Sequence, residues 1–129
     1  MILQITIVLL CGVGCYASAF MLAKARRAAR GELTEPSVVA TPRARVGRTP
    51  NAAIGLAYYL ALALATTSLH VPLVWWAAAA AALGAAAFSA YLAYSLLFVT
   101  RMPCVYCWTS HAANWALAAL VVSARPPGV

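Results

Sequence analysis

Polar positions in this chain fall into a few short islands, and the apolar runs between them are long. The first run, Ile2 to Ala23, has 22 residues and is closed by the basic stretch Lys24 to Arg30. About 20 apolar residues in a helix cross a hydrocarbon layer, so this run predicts a membrane helix over about 2–24. Ala17-Ser18-Ala19 resembles a signal cleavage site. No basic residue precedes the run, however, and it is read as a retained helix. The segment 25–50 is the one extended polar stretch, and Pro36, Pro42 and Pro50 exclude a long regular element within it. Its start, Ala25 to Arg30, can prolong the first helix to a cap at Gly31. The apolar patch Ser37-Val38-Val39 can dip back toward the membrane, so the loop is expected to cap the helices at the interface. Further helices are expected over about 51–69, 73–99 and 103–123. Turns at His70-Val71-Pro72 and Thr100-Arg101-Met102-Pro103 separate them, with Pro103 in the first position of the fourth helix. The run Ala77 to Ala82 with Leu83-Gly84 supplies small residues that let helices approach closely. No strand-like alternation stands out. The expectation is an all-α, integral membrane four-helix bundle in one domain, 1–129, with an interfacial loop between helices 1 and 2.

Composition narrows the class further. Of 129 residues, 65% are hydrophobic and 9% charged, against about 25% charged in a soluble domain. That excludes a soluble enzyme, a secreted disulfide scaffold and a disordered tail, and leaves a multi-pass protein of a lipid bilayer. The net charge of +7 does not indicate nucleic acid, because eight of the nine basic residues sit at membrane edges on one face. These are Lys24, Arg26, Arg27, Arg30, Arg43, Arg45, Arg48 and Arg101; Arg125 alone lies on the other face. The positive-inside rule then puts the loop and the start of the fourth helix in the cytoplasm, with the protein in the cell (inner) membrane.

The chemistry concentrates in Cys104-Val105-Tyr106-Cys107. Two cysteines three apart on a first helical turn can close a disulfide. The positive end of the helix dipole, with Arg101 nearby, favours the Cys104 thiolate as nucleophile and leaving group. A CxxC also occurs in zinc sites and as two packed small residues, so the motif alone leaves these readings open. Stepping along the helix by threes and fours from Cys104 gives Cys107, Trp108, His111, Asn114, Trp115 and Ala118 on one face. Polar groups in a membrane helix turn toward the bundle interior or a cavity. As a set these residues suit a flat redox ring, with Trp108 and Trp115 walling it and His111 and Asn114 hydrogen-bonding a carbonyl. Taken singly, His111 and Asn114 read as interhelical hydrogen bonds and the tryptophans as interfacial anchors. Cys11 and Cys15 lie i, i+4 in Cys11-Gly12-Val13-Gly14-Cys15, a small-residue packing seam deep in the membrane. A second redox pair or a metal site is the other reading of that pair. His70 reads as an exposed turn residue. Nothing selects among Tyr58, Tyr59, Tyr91 and Tyr94, whose default is packing or the interfacial belt.

The segment Thr49-Pro50-Asn51-Ala52-Ala53-Ile54-Gly55-Leu56-Ala57-Tyr58-Tyr59, followed by Cys104-Val105-Tyr106-Cys107, resembles the vitamin K epoxide reductase family. Bacterial members have a similar PNAxxGxxYY opening to helix 2 and the CxxC at the head of helix 4. Thr41-Pro42-Arg43-Ala44-Arg45 matches the preceding loop, and the likeness covers most of residues 35–120. The resemblance implies a four-helix bundle passing electrons between protein thiols and a quinone, menaquinone or ubiquinone, with a thioredoxin-like dithiol protein as partner. It implies that Cys107 is the quinone-side cysteine and Cys104 the exchange cysteine. Two departures stand out. Many members carry a second cysteine pair in the first loop as a shuttle, but residues 24–50 contain no cysteine and Glu35 falls near the expected second one. A partner must then reach Cys104 directly. Four residues after Cys107, where vertebrate members have tyrosine, stands His111. Bacterial members usually carry the CxxC on the outer face, opposite to the charge count.

The expected function is therefore a quinone-linked thiol-disulfide oxidoreductase. The rival is a soft-metal protein for copper, zinc or mercury using Cys104, Cys107 and His111, with Cys11 and Cys15 as a relay. A third reading is a member that keeps the fold and assists assembly of another membrane protein.

Overall fold

The computed structural model describes residues 1–129. Four helices form: α1 (Ile2–Ala29), α2 (Asn51–Ala65), α3 (Pro72–Tyr94) and α4 (Val105–Ser123). At a rise of about 1.5 Å per residue, the 28 residues of α1 exceed a hydrocarbon core. Its last turns therefore emerge and carry Lys24, Arg26, Arg27 and Arg30 out of it. Gly31 takes a positive φ of 71° just beyond, the conformation glycine adopts most readily after a helix. Three helices are long and apolar enough to cross a membrane: Ile2–Ala29, Asn51–Ser68 and Pro72–Thr100. The 19 residues of α4 also reach across, but Ser110, His111 and Asn114 make it more polar. It lies between α1 and α3, so those groups turn inward rather than toward lipid. The outward faces are apolar, with Leu9, Leu60, Leu64, Leu83 and Phe98 all exposed.

Several ends differ from the sequence expectation, each for a local reason. α2 stops at Ala65 and tightens into a 3₁₀ turn, Thr66–Ser68. There Thr66 Oγ1 donates to the Leu62 carbonyl and Thr67 Oγ1 to that of Leu64, at 2.8 and 3.1 Å, competing with the helical ladder. α3 does not run on as regular helix but widens into a π-helical segment, Ser95–Thr100, where Thr100 Oγ1 donates to the Ser95 carbonyl at 3.1 Å. Arg101 then adopts φ 49°, ψ 35°, a left-handed residue that breaks the chain direction. Pro103 does not open α4: the helix begins two residues later, with Cys104 in extended conformation as its N-cap. The loop contains one pairing the sequence reading passed over, a two-residue hairpin. β1 (Arg45–Val46) pairs antiparallel with β2 (Thr49–Pro50) around Gly47-Arg48. Gly47 has φ 60°, which suits glycine at the first central position of a tight hairpin.

The helices pack in the order α2, α1, α4, α3, while α2 and α3 hardly touch each other. The half of the bundle near the termini is solid. Ile7, Cys11, Leu62, Leu69, Trp75, Leu117 and Val121 fill it, and Trp75 Nε1 donates to the Val121 carbonyl at 2.9 Å. The other half, under the loop, is hollow. The small-residue run on α3 divides between the two. Ala78, Ala79 and Ala82 are buried in the core, whereas Ala81, Gly84 and Ala85 line the hollow.

Candidate functional site

The hollow is a cavity of about 400 Å3. Its walls are Ser18, Met21 and Ala25 of α1, one face of α2 from Asn51 to Tyr59, the alanine and glycine face of α3 with Phe88 and Leu92, and the upper turns of α4. The loop roofs it through Val38, Val39, Thr41, Arg43, Ala44 and Pro50. Val39 is buried beneath that roof. Two contacts latch it: Asn51 Nδ2 donates to the Arg43 carbonyl at 2.8 Å, and Arg43 Nη1 donates to Tyr91 Oη at 3.1 Å.

Cys104 and Cys107 form a disulfide across the first turn of α4. The two sulfurs have different surroundings. Cys107 lines the cavity and Cys104 does not. The backbone N–H of Cys107 donates to Cys104 Sγ at 3.2 Å, so a helix N-terminal amide already faces the sulfur of Cys104 and favours its thiolate whenever Cys104 is the released group. Val105, beside Cys104, is 78% exposed, leaving open ground around the outer cysteine. Arg101 donates from Nε to the Phe98 carbonyl at 3.3 Å and closes the end of the π segment. Tyr106, inside the motif, stacks on Phe20 of α1 with centroids 4.0 Å apart.

Of the other residues singled out in sequence, His111 and Asn114 line the cavity below Cys107. Asn114 Nδ2 donates to Ser89 Oγ of α3 at 2.7 Å. Trp108 and Trp115 are not brought to the cavity: they are 37% and 41% exposed and stand off its wall. The predicted stripe was broad, and at about 100° per residue the tryptophans fall on its far flank. The cavity takes the flank of Tyr106, Cys107, Ser110 and Asn114. Trp115 Nε1 donates to the Ala86 carbonyl at 3.1 Å, tying α4 to α3. Both tryptophans flank the His111 ring, with centroids 6.0 and 6.3 Å away.

Tyr59 was not separable from the other tyrosines by sequence, yet it is central. It is 1% exposed, lies against Gly14 of α1 where a Cβ would overlap its ring, and its hydroxyl donates to the Ser110 carbonyl at 3.2 Å. One residue thus joins α2, α1 and α4 at the cavity floor. The available signal was the pairing of an apolar tyrosine face with the glycines of Cys11-Gly12-Val13-Gly14-Cys15. Gly55 has a related role, because a Cβ there would meet Ser18 Oγ at 3.0 Å. Four buried polar atoms have no hydrogen-bond partner: Asn51 Oδ1, Tyr58 Oη, His111 Nδ1 and Asn114 Oδ1. All four residues line this one cavity. Unpaired buried polar atoms cost about 1–3 kcal/mol each, so their convergence in an apolar chamber marks a place for a polar-edged ligand.

Cys11 and Cys15 are free thiols. Cys11 sits in the core, and neither lines the cavity. No group of three His, Cys, Asp or Glu side chains is arranged to hold a metal ion, so Cys104, Cys107 and His111 do not form the ligand set considered above.

The motifs that carry the sequence resemblance fall where it implied, Asn51-Ala52-Ala53-Ile54-Gly55 opening α2 and the cysteine pair at the head of α4. The vitamin K epoxide reductase family model matches residues 5–122. The chain belongs to that family. A comparison with curated proteins found no match. Membership in the vitamin K epoxide reductase family makes this a membrane oxidoreductase, and its disulfide-forming pair is Cys104 and Cys107.

Proposed function

We propose that the protein exchanges electrons between the dithiol of a thioredoxin-like protein and a quinone held in the cavity. The observation that carries this reading is the two-sidedness of the disulfide, with Cys107 on the cavity wall and Cys104 off it.

The cavity fits a quinone in size and chemistry. Roughly 150 Å3 holds a benzene ring, and about 400 Å3 is available. The walls are mostly apolar, while Asn51, Tyr58, His111 and Asn114 offer polar atoms that nothing in the chain engages. Tyr58 Oη can donate to a carbonyl oxygen, and Asn51 and Asn114 Oδ1 can accept from a hydroxyl, so both redox forms of a quinone find partners. A quinone supplies an acceptor for two electrons and two protons.

The chain's own groups do the rest. A partner thiolate attacks Cys104 Sγ, the Cys104–Cys107 bond breaks, and a mixed disulfide forms at Cys104 while Cys107 leaves as a thiolate and takes up the proton the partner's first thiol gave up. The partner's second thiol attacks the mixed disulfide, releasing oxidised partner and the Cys104 thiol. Cys107, already at the cavity wall, re-forms the bond with Cys104 and gives up the electron pair there. Apolar walls and the latched loop keep water from the transfer.

The charge distribution supports a cytoplasmic position for the CxxC face. Eight of nine basic residues lie on that face, although Glu32 pairs with Arg30 at 2.7 Å. Labelling intact cells with a membrane-impermeant thiol reagent tests this, and labelling of Cys104 from outside would reverse the assignment. The function is tested by adding dithiol and quinone to purified protein and following quinone absorbance. Turnover lost in Cys104→Ser and Cys107→Ala is expected; absence of turnover in the unaltered protein, or full turnover in Cys107→Ala, would sink the proposal.

A further inference from the structure

Oxidising two thiols to a disulfide releases two protons with the two electrons, and a proton leaving Cys107 emerges in an apolar chamber. The titratable or charged side chains facing that chamber are Arg43 from the loop, Tyr58 and Tyr59 from α2, and Tyr106, Cys107 and His111 from α4; α1 and α3 contribute none. A guanidinium does not give up its proton and a phenol ordinarily titrates near 10, so neither cycles a proton readily at neutral pH. The imidazole does. His111 lies four residues from Cys107, one turn further along the same helix face, and both line the cavity. Its ring is held between Trp108 and Trp115. Its Nδ1 has no hydrogen-bond partner, so no bond at that atom fixes the tautomer or has to break when the ring changes protonation.

We infer that His111 carries the proton between Cys107 and the ligand oxygen in the cavity. When the disulfide re-forms, the imidazole takes the Cys107 proton as the electron pair leaves sulfur for the quinone, and then delivers that proton to a quinone oxygen. The Cys104 proton passes to water at the exposed turn, and one proton from water reaches the second oxygen, so two electrons and two protons balance. The delivery half rests on the quinone reading above; the acceptance half concerns only this chain's own residues.

The test begins without quinone. Reduced protein is alkylated from about pH 5 to about pH 9, bracketing an ordinary imidazole, and Cys107 modification is followed by peptide mass. His111→Gln is expected to slow Cys107 alkylation at least about tenfold near pH 6.5, leaving Cys104 alkylation unchanged. His111→Tyr, which keeps an aromatic ring and guards against a packing artefact, is expected to slow it similarly. Superimposable Cys107 profiles in either folded variant overturn the inference, whatever quinone does. With quinone added, kcat is expected to fall and lose its pH inflection in both variants, with little change in KM. A raised KM with an unmoved pH profile also overturns it and makes His111 a ligand-holding residue only. If the unaltered protein reduces no quinone, the proposed function fails, while the alkylation result still decides whether His111 takes the Cys107 proton.

Discussion

Gly84 separates the contribution of the cavity from that of the cysteines. It stands on the α3 wall, and no atom lies within 4 Å of the position its Cβ would take. Gly84→Ala adds one methyl to open space and relieves the roughly 0.5–1 kcal/mol that an interior glycine costs a helix. Gly84→Leu adds a branched side chain to the same space. The cavity is about 400 Å3, and a leucine within it denies the proposed quinone part of its apolar wall. Losing burial equivalent to one large side chain is worth about 1.5–3 kcal/mol, or roughly 10- to 150-fold in affinity. Stability and function should therefore separate along the series. The thermal midpoint holds or rises from Gly to Ala to Leu, while KM for quinone rises at least about tenfold only at Leu. The assay is dithiol-driven quinone absorbance on purified protein, paired with a thermal unfolding curve and with alkylation of Cys104 as a control for the exchange step. A Gly84→Leu protein with unchanged KM would refute the position of the ligand. A fall in the thermal midpoint would refute the claim that the space beside Gly84 is open.

The cavity floor and roof give two further expectations. Gly14→Ala forces a Cβ into the Tyr59 ring and should cost about 1–3 kcal/mol, whereas Gly12→Ala, facing open space, should cost little; unfolding midpoints compare them. Arg43→Ala removes the donor to Tyr91, so protease cleavage within residues 31–50 should quicken while Cys104 alkylation stays unchanged.

Hydropathy alone was enough to predict the helices because lipid enforces one rule everywhere: apolar side chains outside and every backbone group paired within. The breaks from regularity obey local hydrogen bonding instead, which a hydropathy pattern does not carry. Thr66 and Thr100 turn hydroxyls onto carbonyls of their own helices, and the left-handed Arg101 moves the start of α4 past Pro103 to Val105. At the site, the spacing of Cys107, His111 and Asn114 was legible because all three share a helix face. Which flank of that face meets the cavity depends on where α1 and α3 dock, so Trp108 and Trp115 could not be sorted from the others by spacing. Tyr59 was hidden for the same reason. Its role rests on Gly14, 45 positions earlier, and on a carbonyl 51 positions later.

The loop without cysteine explains why its residues can be spent on closure. A relay segment has to present its thiols alternately to a partner and to the CxxC, which requires it to move. Here Val39 is buried, a hairpin stiffens Arg45 to Pro50, and Arg43 is tied at its carbonyl to Asn51 and at its guanidinium to Tyr91. Such a loop favours staying in place over the cavity. The poor contact between α2 and α3 leaves the bundle's weakest seam facing the lipid, beside Ala81, Gly84 and Ala85. On this reading the two partners never share a route. Under the function proposed above, a lipid-soluble carrier would approach through that seam and a water-soluble dithiol would approach the exposed turn at Cys104, with the disulfide between them.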